Sequence, residues 1–217
     1  MTMRAPLVLL MLCLALTGCS RSTLDGCVDA PFKTCIANVS LIVSDDSPET
    51  TSKEIARQTV SGVLNGDISI EGHFRDAPSH AVSISIMVYK DTVLMVSVQT
   101  QHDDAIAETD AQYDRTDLSR VFQVLTGGKC ENGEPLDKQS VYRFFQTKIK
   151  PARKRAPEPP HETAEHEMKT PPIPFCGRKL SYAYTWGVQP DTIRAENPTG
   201  AYTLQFFSLI SSGAGFH

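Results

Sequence analysis

Six histidines and six cysteines are the side chains best suited to chemistry in this chain of 217 residues. His161-Glu162-Thr163-Ala164-Glu165-His166 holds the residue types of a zinc-dependent hydrolytic site, but at the wrong spacing. Such a site needs histidines at i and i+4, so that both reach one metal from one helix face. His161 and His166 are five apart, which separates them by about 140° on a helix. The segment is also rich in proline and reads as solvated linker, so no metal and no cofactor is expected. His73, His80 and His102 fall near the first predicted strands and are the bases to check for a site assembled in space. No Gly-x-Ser-x-Gly, no phosphate-binding glycine loop and no carboxylate pair at a telling spacing accompanies them. The chain therefore reads as non-catalytic, with an unrecognised hydrolase as the remaining enzymatic reading.

Two groupings suit binding better than catalysis. Lys148, Lys150, Arg153, Lys154 and Arg155 concentrate positive charge and suit an anionic partner or, more blandly, a solvated linker start. Tyr182, Tyr184, Trp186, Tyr202, Phe206 and Phe207 gather aromatics near the C-terminus. Buried strand faces are the commoner use of such residues. Tyr182, Tyr184, Trp186 and Phe207 are nevertheless candidates for a partner surface. The net charge of −4 and a pI near 5.9 argue against nucleic acid as the partner.

The N-terminus supplies an address. Arg4 is followed by the unbroken apolar run from Leu7 to Leu16. The run is too short for a membrane span, which takes about 20 residues, and has the proportions of a secretory signal. It ends in Leu16-Thr17-Gly18-Cys19, which resembles the lipobox of bacterial lipoproteins. The resemblance covers this segment alone; the family of the mature domain is not recognised. It implies cleavage before Cys19, diacylglycerol on the Cys19 sulfur and, usually, an acylated new N-terminus. Two or three chains on one residue meet the requirement for stable anchoring, which a single chain does not. Ser20, where an Asp tends to retain lipoproteins at the inner membrane, resembles the pattern exported to the outer membrane.

Cys13 would leave with the signal, and Cys19 would carry lipid. Cys27, Cys35, Cys130 and Cys176 remain, an even number in an oxidising compartment. Of three pairings, Cys27–Cys35 with Cys130–Cys176 is favoured. The first closes a short loop around Pro31, and the second pins the C-terminal segment to the body. Metal binding competes, but no close Cys-x-x-Cys pair exists.

The elements that position these residues follow from periodicity. Strands are expected at 36–44, 67–74, 81–89 and 93–101, each from alternating apolar residues. Pairing Val88 with Leu94, Ile86 with Val96 and Ile84 with Val98 puts the apolar residues of one hairpin on one side. That register requires an odd loop, Lys90-Asp91-Thr92. Helices are expected at about 48–64, from Ser47-Pro48-Glu49 to Asn65-Gly66, and from Thr116-Asp117 through Leu125 to Gly127-Gly128. Residues 140–149 read as strand. Residues 175–217 read as two strands that dock on the sheet, since so short a segment buries little alone.

The fold class is thus α+β: an antiparallel sheet with two helices on one face, disulfide-stapled, with aromatic C-terminal strands. The domain layout is 1–18 signal peptide, 19–35 lipidated tether and Cys loop, 36–149 α+β domain, 150–174 Pro-rich linker and 175–217 C-terminal β segment. Deleting most of 152–170 is expected to be tolerated. The functional expectation is a membrane-anchored periplasmic lipoprotein that binds or stabilises an envelope or secretion complex. A periplasmic inhibitor or immunity protein is the alternative. The expected partners are the membrane, through the N-terminal lipid, and another envelope protein.

Overall fold

The computed structural model describes residues 26–102, 115–130, 132–154, 165–188 and 201–211. Along the chain, α1 (Phe32–Ile42) leads into β1 (Val43–Asp45), and α2 (Pro48–Gln58) into the short strands β2 (Thr59–Val60) and β3 (Val63–Leu64). A meander of β4 (Gly66–Phe74), β5 (Ala77–Tyr89) and β6 (Thr92–His102) follows. Then come α3 (Arg115–Thr126) and α4 (Lys138–Phe144), which runs through one π turn, Phe145–Ile149, into α5 (Lys150–Lys154). Finally come β7 (Glu165–Lys169), β8 (Ile173–Phe175), β9 (Arg178–Val188) and β10 (Ala201–Ile210). The main sheet is antiparallel in the order β1-β4-β5-β6-β10-β9-β7, with β8 also on β9; β2 and β3 pair apart from it. No described helix is long and apolar enough to cross a membrane.

The expected α+β architecture is formed. Ile68, Ile70 and Phe74 share one buried face with Val82, Ile84, Ile86, Val96 and Val98. Leu180, Tyr182, Tyr184, Phe207 and Leu209 continue that face through the C-terminal strands. Fully burying each large apolar side chain contributes about 1.5–3 kcal/mol. Helix α3 covers the face with Leu118, Val121, Phe122 and Leu125, all buried. The Phe122 ring meets Phe175 and Phe207 at centroid distances of 4.8 and 5.9 Å, which locks helix and C-terminal strands together. Helix α1 joins this layer, Asn38 donating through Nδ2 to the Gln123 carbonyl at 3.2 Å. Helix α2 runs beside β4: Gln58 donates to the Asp67 carbonyl, and Glu54 accepts from the Ser69 amide. An exposed strand edge is thereby covered.

Several local expectations are corrected. The strand expected at 36–44 is mostly helix α1. Phe32, Cys35 and Val39 are buried at helical spacing, and Leu41, which carried the alternation, is 63% exposed. Only Val43–Asp45 pairs with β4. Gly72 sits opposite, where any Cβ would lie 1.9 Å from the Ser44 carbonyl oxygen. The helix expected to reach residue 64 stops at Gln58, because Ser61 and Gly62 take positive φ angles of 53° and 79° and turn the chain back as a hairpin.

The β5–β6 hairpin keeps Ile84 opposite Val98 and Ile86 opposite Val96, as expected. Val88, however, pairs with Val93, and Leu94 is the extra residue of a bulge. The turn is therefore the two-residue Lys90-Asp91, with φ of 50° and 62°. Its left-handed backbone is held from outside. The Asp91 side chain accepts from the Leu64 amide at 2.8 Å, its carbonyl accepts from the Phe32 amide at 2.7 Å, and Asn65 accepts from the Lys90 amide.

Residues 140–149 are helix rather than strand. Asp137 caps the Ser140 amide at 2.6 Å, and Val141, Phe145 and Ile149 are buried on one side. Hydrogen bonding from Ser140 holds the Asp137 carboxyl below its ordinary pKa. Nor is the Pro-rich stretch free of packing. Ala152, Thr170 and Ile173 are buried, and β7 and β8 line up along β9 on either side of Pro171-Pro172. Proline is tolerated there because the interrupted strand forms the edge of the sheet. Deleting 152–170 would remove β7 and the Thr170 amide bond to the Tyr182 carbonyl, so that deletion is destabilising after all.

Candidate functional site

Both favoured cysteine pairs are disulfide-bonded, Cys27 to Cys35 and Cys130 to Cys176. Cys19, the expected lipid attachment point, lies outside the described residues. Between the two disulfides opens a cleft of about 490 Å³, lined by Asp29, Pro31, Thr34, Lys129 and Arg178 among others. Arg178 donates to Asp29 across it at 3.0 Å. Gly26 lines the same cleft and packs so tightly on Thr126 that a Cβ would meet its backbone at 2.6 Å.

The aromatic candidates are placed differently from expectation. Tyr182, Tyr184 and Phe207 are buried and face the helices, so they form core rather than a partner surface. Inward-facing strand positions that meet Phe122 must be apolar, and large rings fill that volume. The side chain of Trp186 lies outside the described residues. The Tyr182 hydroxyl donates to buried Gln205 Oε1 at 2.8 Å. Tyr182→Phe withdraws that donor from a buried amide, so urea unfolding is expected to show a loss of about 1–3 kcal/mol. A loss below about 0.5 kcal/mol would mean that Gln205 finds another donor.

Of the three histidines, two find carboxylates. His73 Nδ1 lies 2.9 Å from Asp46, both partly exposed. His80 Nδ1 lies 2.7 Å from Asp117 Oδ2, with His80 at 38% and Asp117 at 2% exposure. The side chain of His102 is outside the described residues, as are those of His161 and His166. Among the described residues, no group of three His, Cys, Asp or Glu is placed to hold a metal. Lys148 is exposed and Lys150 half-buried, while the side chains of Arg153, Lys154 and Arg155 are not described.

The His80–Asp117 pair belongs to a larger ion-pair network that periodicity did not reveal. Asp117, in the first turn of α3, also accepts from Arg120 Nη1 one turn later. Arg120 in turn reaches Asp76 through Nε at 2.7 Å and stacks over the Phe74 ring, 5.4 Å from its centroid. Burial opposes the charge on Arg120, but the hydrogen bonds it donates to Asp76 and Asp117 outweigh it and raise its pKa above the ordinary arginine value. The Arg120 hydrogen bond holds the Asp76 carboxyl below its ordinary pKa.

Chemically, a carboxylate holding one imidazole nitrogen is the orienting half of a general-base arrangement. Structurally, the same atoms clasp α3 to the β4–β5 turn. The only sequence trace of the network is the Asp117–Arg120 spacing of three, and Asp76 and His80 lie about 40 residues before it. Comparison of the chain with protein-family models, with curated proteins and with solved structures finds no match.

Proposed function

We propose that this chain is a bacterial lipoprotein, held by acyl chains on Cys19 at the outer membrane and facing the periplasm. Its α+β domain then acts as a non-catalytic binding or assembly-stabilising component of an envelope or secretion complex. The observation that carries this reading is Leu16-Thr17-Gly18-Cys19 at the end of a short apolar run behind Arg4. Support comes from the other cysteines that would remain, all four of which pair as disulfides, as an oxidising compartment favours. Gly26, packed against Thr126, is seven residues beyond Cys19, so the anchor is at most about 25 Å of chain from the folded body.

Cys19→Ser removes the thiol that accepts diacylglycerol. Metabolic labelling with a fatty acid is expected to mark the wild type and not the variant, and lipoprotein-type cleavage is expected to fail in the variant. Equal labelling of both proteins, or wild-type cleavage elsewhere than before Cys19, removes the reading. Crosslinking in membranes followed by pull-down then identifies the complex.

A hydrolase is the second reading, favoured by the His80–Asp117 pair alone. It requires turnover of an envelope substrate that His80→Ala abolishes while the fold is kept.

A further inference from the structure

The main sheet has a second face, and among the described residues the side chains of its three central rows are half-buried or exposed. Register aligns them in rows that cross five strands, β4-β5-β6-β10-β9. One row reads Asp67, Met87, Met95, Ile210, Lys179. The next reads Ser69, Ser85, Ser97, Ser208, Ser181, and the third Glu71, Ser83, Gln99, Phe206, Ala183. Over these five strands the first row is ordered acid, three apolar residues, base, with Met95 on β6 at its centre and exposed, opposite charges at Asp67 and Lys179; exposed Pro174 on β8 lies beyond Lys179.

That order is self-complementary. A two-fold axis lying along β6, between two copies placed face to face, reverses strand order and leaves the rows in place. Asp67 of one copy then lies over Lys179 of the other, and the reverse pair forms as well. Met87 falls on Ile210 and Met95 on itself. In the second row Ser97 meets Ser97, and Ser85 meets Ser208. A hydroxyl both donates and accepts, so serine facing serine across an axis is satisfied in either orientation. Within one copy Ser97 and Ser208 already bond at 2.7 Å. In the third row Ser83 falls on Phe206, beside a shallow depression of about 340 Å³ lined by Ala183, Ser181 and Ser208.

We propose that this face docks a second copy of the same chain, forming an isologous sheet-on-sheet dimer. Charge complementarity singles out a second copy: a partner of one charge sign would meet repulsion at one end of the row. Aligned sheets pack with a relative rotation of about 30°, which tilts the axis about 15° from β6 and leaves each corner pair to the reach of the long Lys179 side chain. With strands about 4.8 Å apart and residues about 3.3 Å apart, the patch covers roughly 400–500 Å² on each copy. Two copies bury roughly 800–1,000 Å², the size of a weak, reversible interface.

Sedimentation of the full chain, extracted in density-matched detergent, tests the proposal. The wild type is expected to dimerise. Asp67→Lys and Lys179→Asp, each placing like charges together twice per dimer, are expected to weaken association more than tenfold, and the double variant to restore it. The two residues sit four strands apart on one sheet, about 19 Å, so rescue reports contact between copies. Both positions are exposed, and circular dichroism confirms that each variant is folded. A wild type that stays monomeric at tens of micromolar overturns the proposal. So does a dimer indifferent to the swaps, or a double variant no better than the singles. A monomer whose Ser97→Cys thiol is shielded only after an envelope protein or peptidoglycan fragment is added overturns it in favour of that occupant. None of these readouts depends on whether Cys19 carries lipid.

Discussion

Asp117→Ala is expected to destabilise the folded chain by about 3–5 kcal/mol, the range for removing one partner from a buried ion pair. Asp117 is 2% exposed on its side chain and accepts from both His80 and Arg120. Its loss leaves Arg120, itself only 10% exposed, with Asp76, which is 69% exposed and already hydrated. The first turn of α3 also loses an anion where the dipole favours one, a further few tenths of a kcal/mol. Urea unfolding measures the effect as a lowered midpoint. Adding Arg120→Met to Asp117→Ala is expected to recover part of the loss, because a buried charge without its partner costs more than a pair removed together. A single-variant loss below about 1 kcal/mol, with no recovery in the double, would mean that water screens the network as it does at a surface.

Cys176→Ser is expected to cost about 4 kcal/mol, since the disulfide to Cys130 closes a loop of 46 residues. The bond fastens the turn between β8 and β9 to the segment that follows α3. Cys176 and Gly177 make that turn with φ of 51° and 85°, and serine at 176 faces the same backbone demand, so the loss reports the bond. Cys130→Ser is expected to cost the same, and the double variant no more than either single. The shorter loop closed by Cys27–Cys35, with a separation of 8, is worth less on the same argument, about 2.5 kcal/mol. Unequal single losses that add in the double would show that each cysteine acts through packing, as the half-buried Cys176 side chain could.

How far the sequence reached depended on the range of the interaction. Ile68 and Ile70, Val82 to Val88 and Val96 with Val98 alternate because one side of each strand is buried. That local pattern is readable without partners, and so is the apolar stripe of α3. The evenness of the cysteines and the lipobox-like end of the apolar run are likewise matters of composition and spacing, whatever the fold. Where two periods fit one segment, the sequence misled. Val39, Leu41 and Val43 alternate, yet Phe32, Cys35 and Val39 obey the helical period, and only the packing of α1 on α3 decides that Leu41 faces water. Residues 140–149 were lost for the same reason, with the Asp137 cap as the overlooked signal.

Two features belong to the tertiary structure alone. The clasp joins Asp76 and His80 to Asp117 and Arg120, and the hairpin and helix that carry them meet only when the sheet buries its inner face. The charged row of the outer face requires β10 to settle between β6 and β9 in one register, aligning Met95 with Ile210 across more than a hundred residues of chain. Periodicity reports which side of a strand is buried. It carries no information about which distant strand lies alongside, because that choice is made by the volume of Phe122, Tyr182 and Phe207 filling one core.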